Sequence, residues 1–594
     1  MIQLKLELAL AAACAVLGLA ALGPRTAWKE LGAAFRSLDR SVALALAGSA
    51  ALLLLALFLA RSKVPVDRYL ASTVLGTVAF AGLWLAARRI EGAPRLLRDL
   101  AEGPSWAPAL LCAFLALLAQ QLVLGNVPHV SDEVAYQFQA RALAQGRLGF
   151  EPPEVMAFFE HVLLTVDGGT WHGIMNPGWP LLLAPGYAIG VPFLVNPLLA
   201  AATLPLFHDF LRRAGAGRLI AGLATWSLAL SPFYVFLAGT YMAHTAGLFL
   251  AVAFLWGWIL VWRTASWPGA VAAGAALALG VLVRPMDAAA FALPFGMALA
   301  YRALRHRRWL PALLVVGLVG SLGAVGTLAY NRALTGEPLE FPQNRYFAER
   351  FPGQGFGLGF GPMMGSKAHG EEWPGYSPLD APRVTSHRLL QWLRDLWGLP
   401  WLTAAMLLLG MGRRDTPWPL RLVVAGGAAV LIAYVAHFYH GIAYGSRHYF
   451  LLMALAGLAV GSGLAQGLTA SLATRRRVAA AALALSGYVL LFAGPPLVLE
   501  YGSAYRMASP SVRRAVATAP LDRALVFVDA AQWGWKSAFP LNELPLSASR
   551  VLYARDLGER NAELIRLHPE RSVWHLTRER DDSISLNPYP PRGR

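Results

Sequence analysis

Cysteine and lysine are almost missing from this sequence, and each shortage removes a class of explanation. The two cysteines, Cys14 and Cys112, both lie inside apolar runs, so no disulfide framework organises the chain. Lysine is scarce beside arginine, so the formal charge of +17 is almost wholly guanidinium. Those arginines stand mainly in short connections between apolar runs and form no single stripe, which excludes a nucleic-acid surface and reads instead as membrane topology. Charged residues make up only 14% of the chain, too few to solvate a soluble protein of 594 residues. No compact metal signature is present. The glycine-rich run Phe351-Pro-Gly-Gln-Gly-Phe-Gly-Leu-Gly-Phe-Gly361 lacks the strand-then-helix setting of a phosphate-binding loop. No small-residue cleavage site precedes a mature domain, so the first apolar segment is expected to be retained.

What is present in quantity is hydrophobic sequence: 56% of residues, with mean hydropathy +0.48. Apolar runs recur at roughly the 20 residues that a spanning helix needs. They fall at 4–22, 42–60, 70–87 and 106–124, then at 179–207, 219–237, 241–262, 268–283, 288–300 and 310–330, and finally at 396–411, 422–437, 449–468 and 478–497. The run at 179–207 is overlong and broken by Pro185 and Pro192, so it reads as a kinked helix or two short pieces. The expected fold is an all-α polytopic membrane protein of about 12–14 spans. Beyond Glu500 hydropathy falls; Ala524 to Asp529, Arg550 to Ala554 and Ser572 to Leu576 read as strands and Glu559 to Leu567 as a helix, giving a small extramembrane α/β domain. The organisation is therefore residues 1–105 as N-terminal helices, 106–497 as the core with polar loops at 125–178 and 331–395, and 498–594 as the appended domain.

Alternating the spans gathers Arg88, Arg89, Arg95, Arg98, Arg212, Arg213, Arg302, Arg305, Arg307, Arg308, Arg413, Arg414 and Arg475 to Arg477 on one side, which the positive-inside rule makes cytoplasmic. The opposite side receives every unusual polar feature. It holds His129-Val-Ser-Asp-Glu-Val-Ala-Tyr136, the Arg284-Pro-Met-Asp287 turn, the 331–395 loop, the turn Gly445-Ser-Arg-His-Tyr449 and the C-terminal domain. The basic loop with Arg61, Lys63 and Arg68 falls on that side too.

In the first polar loop, Ser131 is expected to cap a helix whose Val134, Ala135, Phe138 and Ala142 share a face that can lie on the membrane. Asp132 and Glu133 then either offset the helix dipole or serve chemistry. Pro177, Gly178 and Pro180 prevent a regular helix at the membrane entry; Trp171 and Trp179 suit interfacial anchors, while a non-helical entry beside two carboxylates suits a site. His161, His172 and Asn176 can meet a divalent metal or a sugar hydroxyl, and the residues leave both open. His244 stands at a helix end. Arg284 and Asp287 either pair locally or line a polar cavity. Arg447 and His448 have no acid close in sequence, so Arg447 either reaches headgroups or grips a phosphate through its fork. The 331–395 loop reads as a lid or an acceptor-binding loop.

These motifs carry a resemblance. Asp132-Glu133 with Tyr136, the segment Ala140-Arg141-Ala-Leu-Ala-Gln-Gly-Arg147 and the entry Asn176-Pro-Gly-Trp-Pro-Leu-Leu-Leu183 resemble the first external loop and second-helix entry of GT-C glycosyltransferases, nearest the bacterial protein-mannosyltransferase-like and aminoarabinose-transferase-like group. The likeness is concentrated at 125–260, with the pattern of spans extending it to about residue 497; the helices before Trp106 are a departure and read as an added module. The resemblance implies a polyprenyl-phosphate-linked sugar donor, a lipid, glycan or protein acceptor, and a site on the outer face of a bacterial inner membrane. It also implies a first-loop carboxylate, Asp132 ahead of Glu133, as base. Tyr136, Arg141, His172, Asn176, His244, Arg284, Arg447 and His448 are the candidate substrate-binding residues. No cofactor is called for, and a divalent ion is left open. The rival readings are a lipid-linked-glycan flippase, which would favour internal repeats and charges at mid-membrane depth, an O-antigen-ligase-like enzyme, and a non-catalytic scaffold, which leaves the outward cluster unexplained.

Overall fold

The computed structural model describes residues 2–589 apart from 37–39, 63, 356, 363–374, 413–414, 439–442, 518, 520, 530–533 and 579–583. Lys63, Arg413, Arg414, the Tyr439 to Ile442 approach to the Arg447 turn and part of the glycine-rich loop therefore lie outside the described residues.

Helix coincides with every apolar run, because those runs lack charge and bury their backbone polar groups only by coiling. Among the described residues nine helices are long and apolar enough to cross a membrane, or up to eleven if each of two bent pairs is one span. The chain is a multi-pass membrane protein. The count falls short of the sequence reading because several runs are broken. Gly178–Ala188 and Val195–Arg213 are separate helices around Pro192, and Arg218–Ala229 turns by 60° into Pro232–Ala238. Trp267–Val283 and Pro400–Met411 are shorter still.

The N-terminal helices are packed onto the core. Gly18 of Ile2–Leu22 and Gly82 of Val66–Ala87 meet backbone to backbone; a Cβ on Gly82 would sit 2.1 Å from the Cys14 carbonyl oxygen, so only glycine allows this crossing. Leu83 and Trp84 on the same helix then pack with Ala480, Ala484 and Tyr488 of Leu472–Tyr488.

Two polar regions rise from the bundle. The first loop carries the helix Ser131–Ala144 and an antiparallel hairpin, β1 (Leu164–Asp167) and β2 (Thr170–Gly173), turned at Gly168 and Gly169, both at positive φ. The C-terminal region forms β3 (Ala524–Val528), β4 (Val551–Arg555), β5 (Ser572–Arg578) and β6 (Ile584–Pro588) in the order β4-β3-β5-β6. β3 runs parallel to β4 and β5, while β6, which sequence reading did not mark, pairs antiparallel with β5. β3 is central and buried at every position, which explains its uninterrupted Ala-Leu-Val-Phe-Val.

One core joins these regions. Val134, Ala135, Phe138 and Ala142 do not lie on the membrane; they pack with Phe150, Trp171, Phe527 and Phe539. Phe138 sits 4.7 Å from Trp171 and 6.2 Å from Phe539, ring centre to ring centre. Trp171 and Trp179 are fully buried and are not interfacial anchors. The indole of Trp179 donates to the Tyr241 carbonyl at 2.7 Å. The apolar face that suggested a membrane surface is filled by the C-terminal domain, whose distance in sequence hid it.

Candidate active site

The helix Ser131–Ala144 begins one residue earlier than a Ser131 cap requires: Ser131 is the first helical residue and Val130 precedes it. The capping is supplied by Glu133, which reaches back to accept from the His129 and Val130 amides at 2.8 and 3.1 Å. Its carboxylate also accepts from the Tyr444 hydroxyl at 3.0 Å and the Tyr241 amide at 2.8 Å. Glu133 is 1% exposed, and burial pushes its carboxyl above the ordinary range against the pull of His129 and the backbone donors. Buried and shared among four donors, this carboxylate is committed to holding the structure. It ties the first loop to the irregular Gly239–Ala243 connection, whose remaining carbonyls at Thr240 and Met242 accept from the Asn196 amide at 2.6 and 2.9 Å. That connection stands beside an apolar bundle with its backbone satisfied by side chains, as such a break requires.

Asp132 points elsewhere. Its Oδ2 accepts from the Arg447 guanidinium at 3.1 Å across 315 residues of sequence, and its side chain is 28% exposed against 7% for Arg447. Among the described residues no donor occupies Oδ1. Arg447 therefore has an acid partner that neighbouring sequence could not disclose; its second amino group donates to the Ala443 carbonyl at 3.0 Å. The turn carrying it is strained: Tyr444 adopts φ +55°, a left-handed conformation that costs a tyrosine about 1–2 kcal/mol. The Tyr444 amide donates to the Tyr505 hydroxyl at 2.9 Å and its own hydroxyl donates to Glu133, so both ends are held.

Behind this pair, Arg284 pairs locally with Asp287 at 2.5 Å, and it also joins a wider network. Its amino groups approach the Tyr434 hydroxyl at 2.6 Å, His244 at 3.1 Å and His448 at 3.4 Å, and Tyr434 donates on to Asp287 at 2.7 Å. Tyr136 lies in the combined field of Asp132, Arg284 and Arg447; burial, followed by the Asp132 carboxylate, raises its phenol above the ordinary value. A narrow slot of about 30 Å³ leads away from Arg284, His244 and Asp287 between apolar walls that include Ala251, Phe254 and Phe291.

The sequence candidates therefore separate. Asp132, Tyr136, His244, Arg284, Arg447 and His448 converge. Arg141 stands apart, donating to the Asn542 and Pro540 carbonyls at 2.8 and 2.6 Å and so fastening the C-terminal domain. His172 is fully buried between Asp167 at 3.0 Å and the Gly173 carbonyl at 2.9 Å, a hairpin contact that leaves it no ligand to meet. Asn176 is half-buried and makes no side-chain hydrogen bond among the described residues. His161 bonds the Val162 carbonyl at 2.8 Å and lies against Phe539. Among the described residues no group of three or more metal-ligating side chains converges.

Sequence reading missed Tyr434, Tyr444 and Asp395. Asp395 accepts from the Ser446 amide at 2.7 Å and from Gln391 at 2.6 Å, and so holds the turn next to Arg447. Only its position at the head of an apolar run hinted at this.

No protein-family model and no curated protein matches this sequence. Among solved structures the chain is similar to ArnT from Cupriavidus metallidurans bound to undecaprenyl phosphate, at 13% identity, covering 79% of this chain and 88% of that one, with a TM-score of 0.42. It is also similar to the Archaeoglobus fulgidus oligosaccharyltransferase tethered to an acceptor peptide, at 12% identity over 80% and 69%, TM-score 0.42. A third is the arabinosyltransferase EmbB from Mycobacterium smegmatis, at 16% identity over 76% and 46%, TM-score 0.35. At such identities and scores no residue role passes from those proteins to this chain.

Proposed function

We propose that this chain is an integral-membrane glycosyltransferase that moves a sugar from a polyprenyl-phosphate donor to a hydroxyl acceptor, with Asp132 as general base. The carrying observation is the Asp132–Arg447 contact, with one carboxylate oxygen free, beside a second guanidinium that heads an apolar slot. An acid with an unoccupied lone pair, a cation within its reach and an apolar channel for a chain are the parts such a reaction needs. The positive-inside count supports a site on the non-cytoplasmic face, and in this reading the membrane is a bacterial inner membrane.

In this reading the lipid chain parts the walls of the slot and its phosphate comes to the arginine end. Arg284 is already neutralised by the well-buried Asp287. Arg447 is the looser partner, because Asp132 keeps more than a quarter of its surface. The entering phosphate draws Arg447 away from Asp132 and leaves that carboxylate ready to accept a proton. The acceptor oxygen then bonds to the anomeric carbon as the carbon–oxygen bond to phosphate breaks. The acceptor's proton passes to Asp132, and the phosphate carries away the bonding pair, its charge met by Arg447 and Arg284. Binding the donor thus releases the base.

The test supplies purified protein with a panel of polyprenyl-phosphate sugars together with a panel of hydroxyl-bearing lipid, glycan and peptide acceptors, and measures release of polyprenyl phosphate. Asp132→Asn should lower turnover by about 10²–10⁴, the usual worth of a general base, while the protein stays folded. Normal turnover in that variant, or no release from any donor by the native protein, would falsify the reading.

A further inference from the structure

Beside the start of the Ser131–Ala144 helix lies a second cavity of about 650 Å³, within the roughly 300–1,000 Å³ typical of ligand sites. Three parts of the chain wall it: the first loop with Ser131, the Pro342–Arg350 helix with Tyr346 and Arg350, and the C-terminal domain with Trp535, Lys536 and Arg555. Asp132 is not part of this wall, but Lys536, which is, lies within the electrostatic reach of both Asp132 and Glu133, so the cavity neighbours the proposed base. Arg555 ends β4, and Trp535 and Lys536 stand on the segment after β3. The cavity is thus at the carboxyl ends of parallel strands, the place where α/β sheets receive ligands.

Its charge is unbalanced. Arg555 is matched by Glu160 at 2.8 Å. Burial pushes the His161 imidazole down to about 4, so it adds no charge near neutral pH. Arg350 lies 3.8 Å from the Tyr346 ring centre, and among the described residues no carboxylate is within ion-pair distance of it. Lys536 donates to the backbone carbonyls of His129 at 3.2 Å and Arg506 at 2.9 Å and has no carboxylate within ion-pair distance among the described residues; burial lowers its pKa, and the more distant charges of Glu133 and Asp132 act in the opposite direction. Two cations are left without an ion-paired acid among the described residues, on walls whose Tyr346 and Trp535 are largely buried, the Tyr346 ring lying under Arg350.

We infer that this cavity is the acceptor site and that the acceptor is a sugar bearing an anionic group, phosphate or carboxylate, together with the hydroxyl that is glycosylated. The inference rests on the glycosyltransferase reading above and names the acceptor class for that same site. The anion is held by Arg350 and Lys536, and the sugar hydroxyl is turned toward the Lys536 side of the cavity, the side nearest Asp132.

The experiment uses the full chain in lipid nanodiscs and equilibrium dialysis with glucose 1-phosphate, glucuronate and methyl glucoside. Both anionic sugars should be retained at least tenfold more tightly than the neutral one, and Arg350→Gln with Lys536→Gln should remove that preference. Arg350 is exposed, so Arg350→Gln alone, weakening the anions several-fold, serves if the double variant does not fold. Equal retention of neutral and anionic sugars, no retention of any, or an unchanged preference in the variants overturns the assignment. The two readings fail separately. If Asp132→Asn stops donor cleavage while the sugar anions do not bind, only the acceptor assignment falls. If the anions bind and Asp132→Asn turns over normally, the base assignment falls.

Discussion

Replacing Glu133 distinguishes a structural carboxylate from a chemical one, and its cost can be worked from the donors around it. Four protein donors converge on the side chain: the amides of His129, Val130 and Tyr241 and the hydroxyl of Tyr444. Glu133→Ala leaves all four buried without an acceptor. At about 1–3 kcal/mol for each unsatisfied donor, and allowing that water enters the space, the loss is at least about 4 kcal/mol. Glu133→Gln keeps one oxygen. That oxygen takes the side facing His129, Val130 and Tyr444, and the amide NH₂ is then set against the Tyr241 amide, a single donor-to-donor conflict of about 1–3 kcal/mol. Asp132→Asn keeps an oxygen that accepts from Arg447 but leaves that buried guanidinium without its counter-charge, a cost of about 1–3 kcal/mol. Unfolding midpoints in detergent, followed by circular dichroism, should therefore fall modestly for Asp132→Asn and Glu133→Gln and furthest for Glu133→Ala. Donor cleavage should follow a different order, with Asp132→Asn lowest among the variants that remain folded. A Glu133→Ala protein that melts like the native one and yet is inactive would refute the reasoning, because the acid would then be needed for chemistry and not for its four contacts.

Three further outcomes are expected. Arg447→Gln should lower kcat/KM for the donor by about 10²–10³, or about 2.7–4 kcal/mol of transition-state stabilisation; steady-state kinetics that leave it within threefold of native would remove Arg447 from the phosphate. Ala251→Trp, which places an indole in the apolar slot, should abolish donor cleavage while glucuronate still binds, and unchanged donor KM would show that the chain runs elsewhere. Burial pushes the Asp395 carboxyl up to about 7, against about 3.9 in an unfolded chain, so between about pH 4 and 7 the native state holds a proton that the unfolded state has lost. Stability from this group is complete below that window and is lost as pH rises through about 7; denaturation midpoints between pH 4.5 and 7.5 should show the slope in the native protein and a flatter one in Asp395→Asn.

The membrane class was legible because hydrophobic length is a local property, and so were the strands β3, β4 and β5, which are short apolar runs between turn residues. The breaks were less so: Pro192 divides two helices as its chemistry demands, whereas the bend at Ser231 to Pro232 falls inside a run that hydropathy alone reads as continuous. Face assignments failed where the partner is remote. Val134 and Phe138 looked like a membrane face because their cover, Phe539 and its neighbours, is supplied some four hundred residues later. Arg447 looked acid-free for the same reason, its partner lying 315 residues away. His172 was drawn into the candidate site by its polar chemistry in the first loop and Arg141 by the motif that carries the resemblance, yet a histidine in a β-hairpin and an arginine late in a helix are directed by local geometry to other neighbours.

The division of labour between the two adjacent acids follows from the helix that bears them. Successive residues of an α-helix are turned by about 100°, so Asp132 and Glu133 cannot address the same partner, and at a helix start the third residue is the one able to reach back to the preceding amides. Glu133 takes that role and is buried; Asp132 is left to face outward at the cluster. The 443–449 turn meets both acids at once, Tyr444 bonding Glu133 and Arg447 bonding Asp132. Any movement of that turn that draws Arg447 toward a phosphate is therefore resisted by the Tyr444 contact. The guanidinium must swing by rotating its own side chain while the backbone stays fixed. In the proposed reaction the base would be uncovered by a side-chain motion of one residue, with no rearrangement of the bundle, and the ion pair would re-form once the phosphate departs.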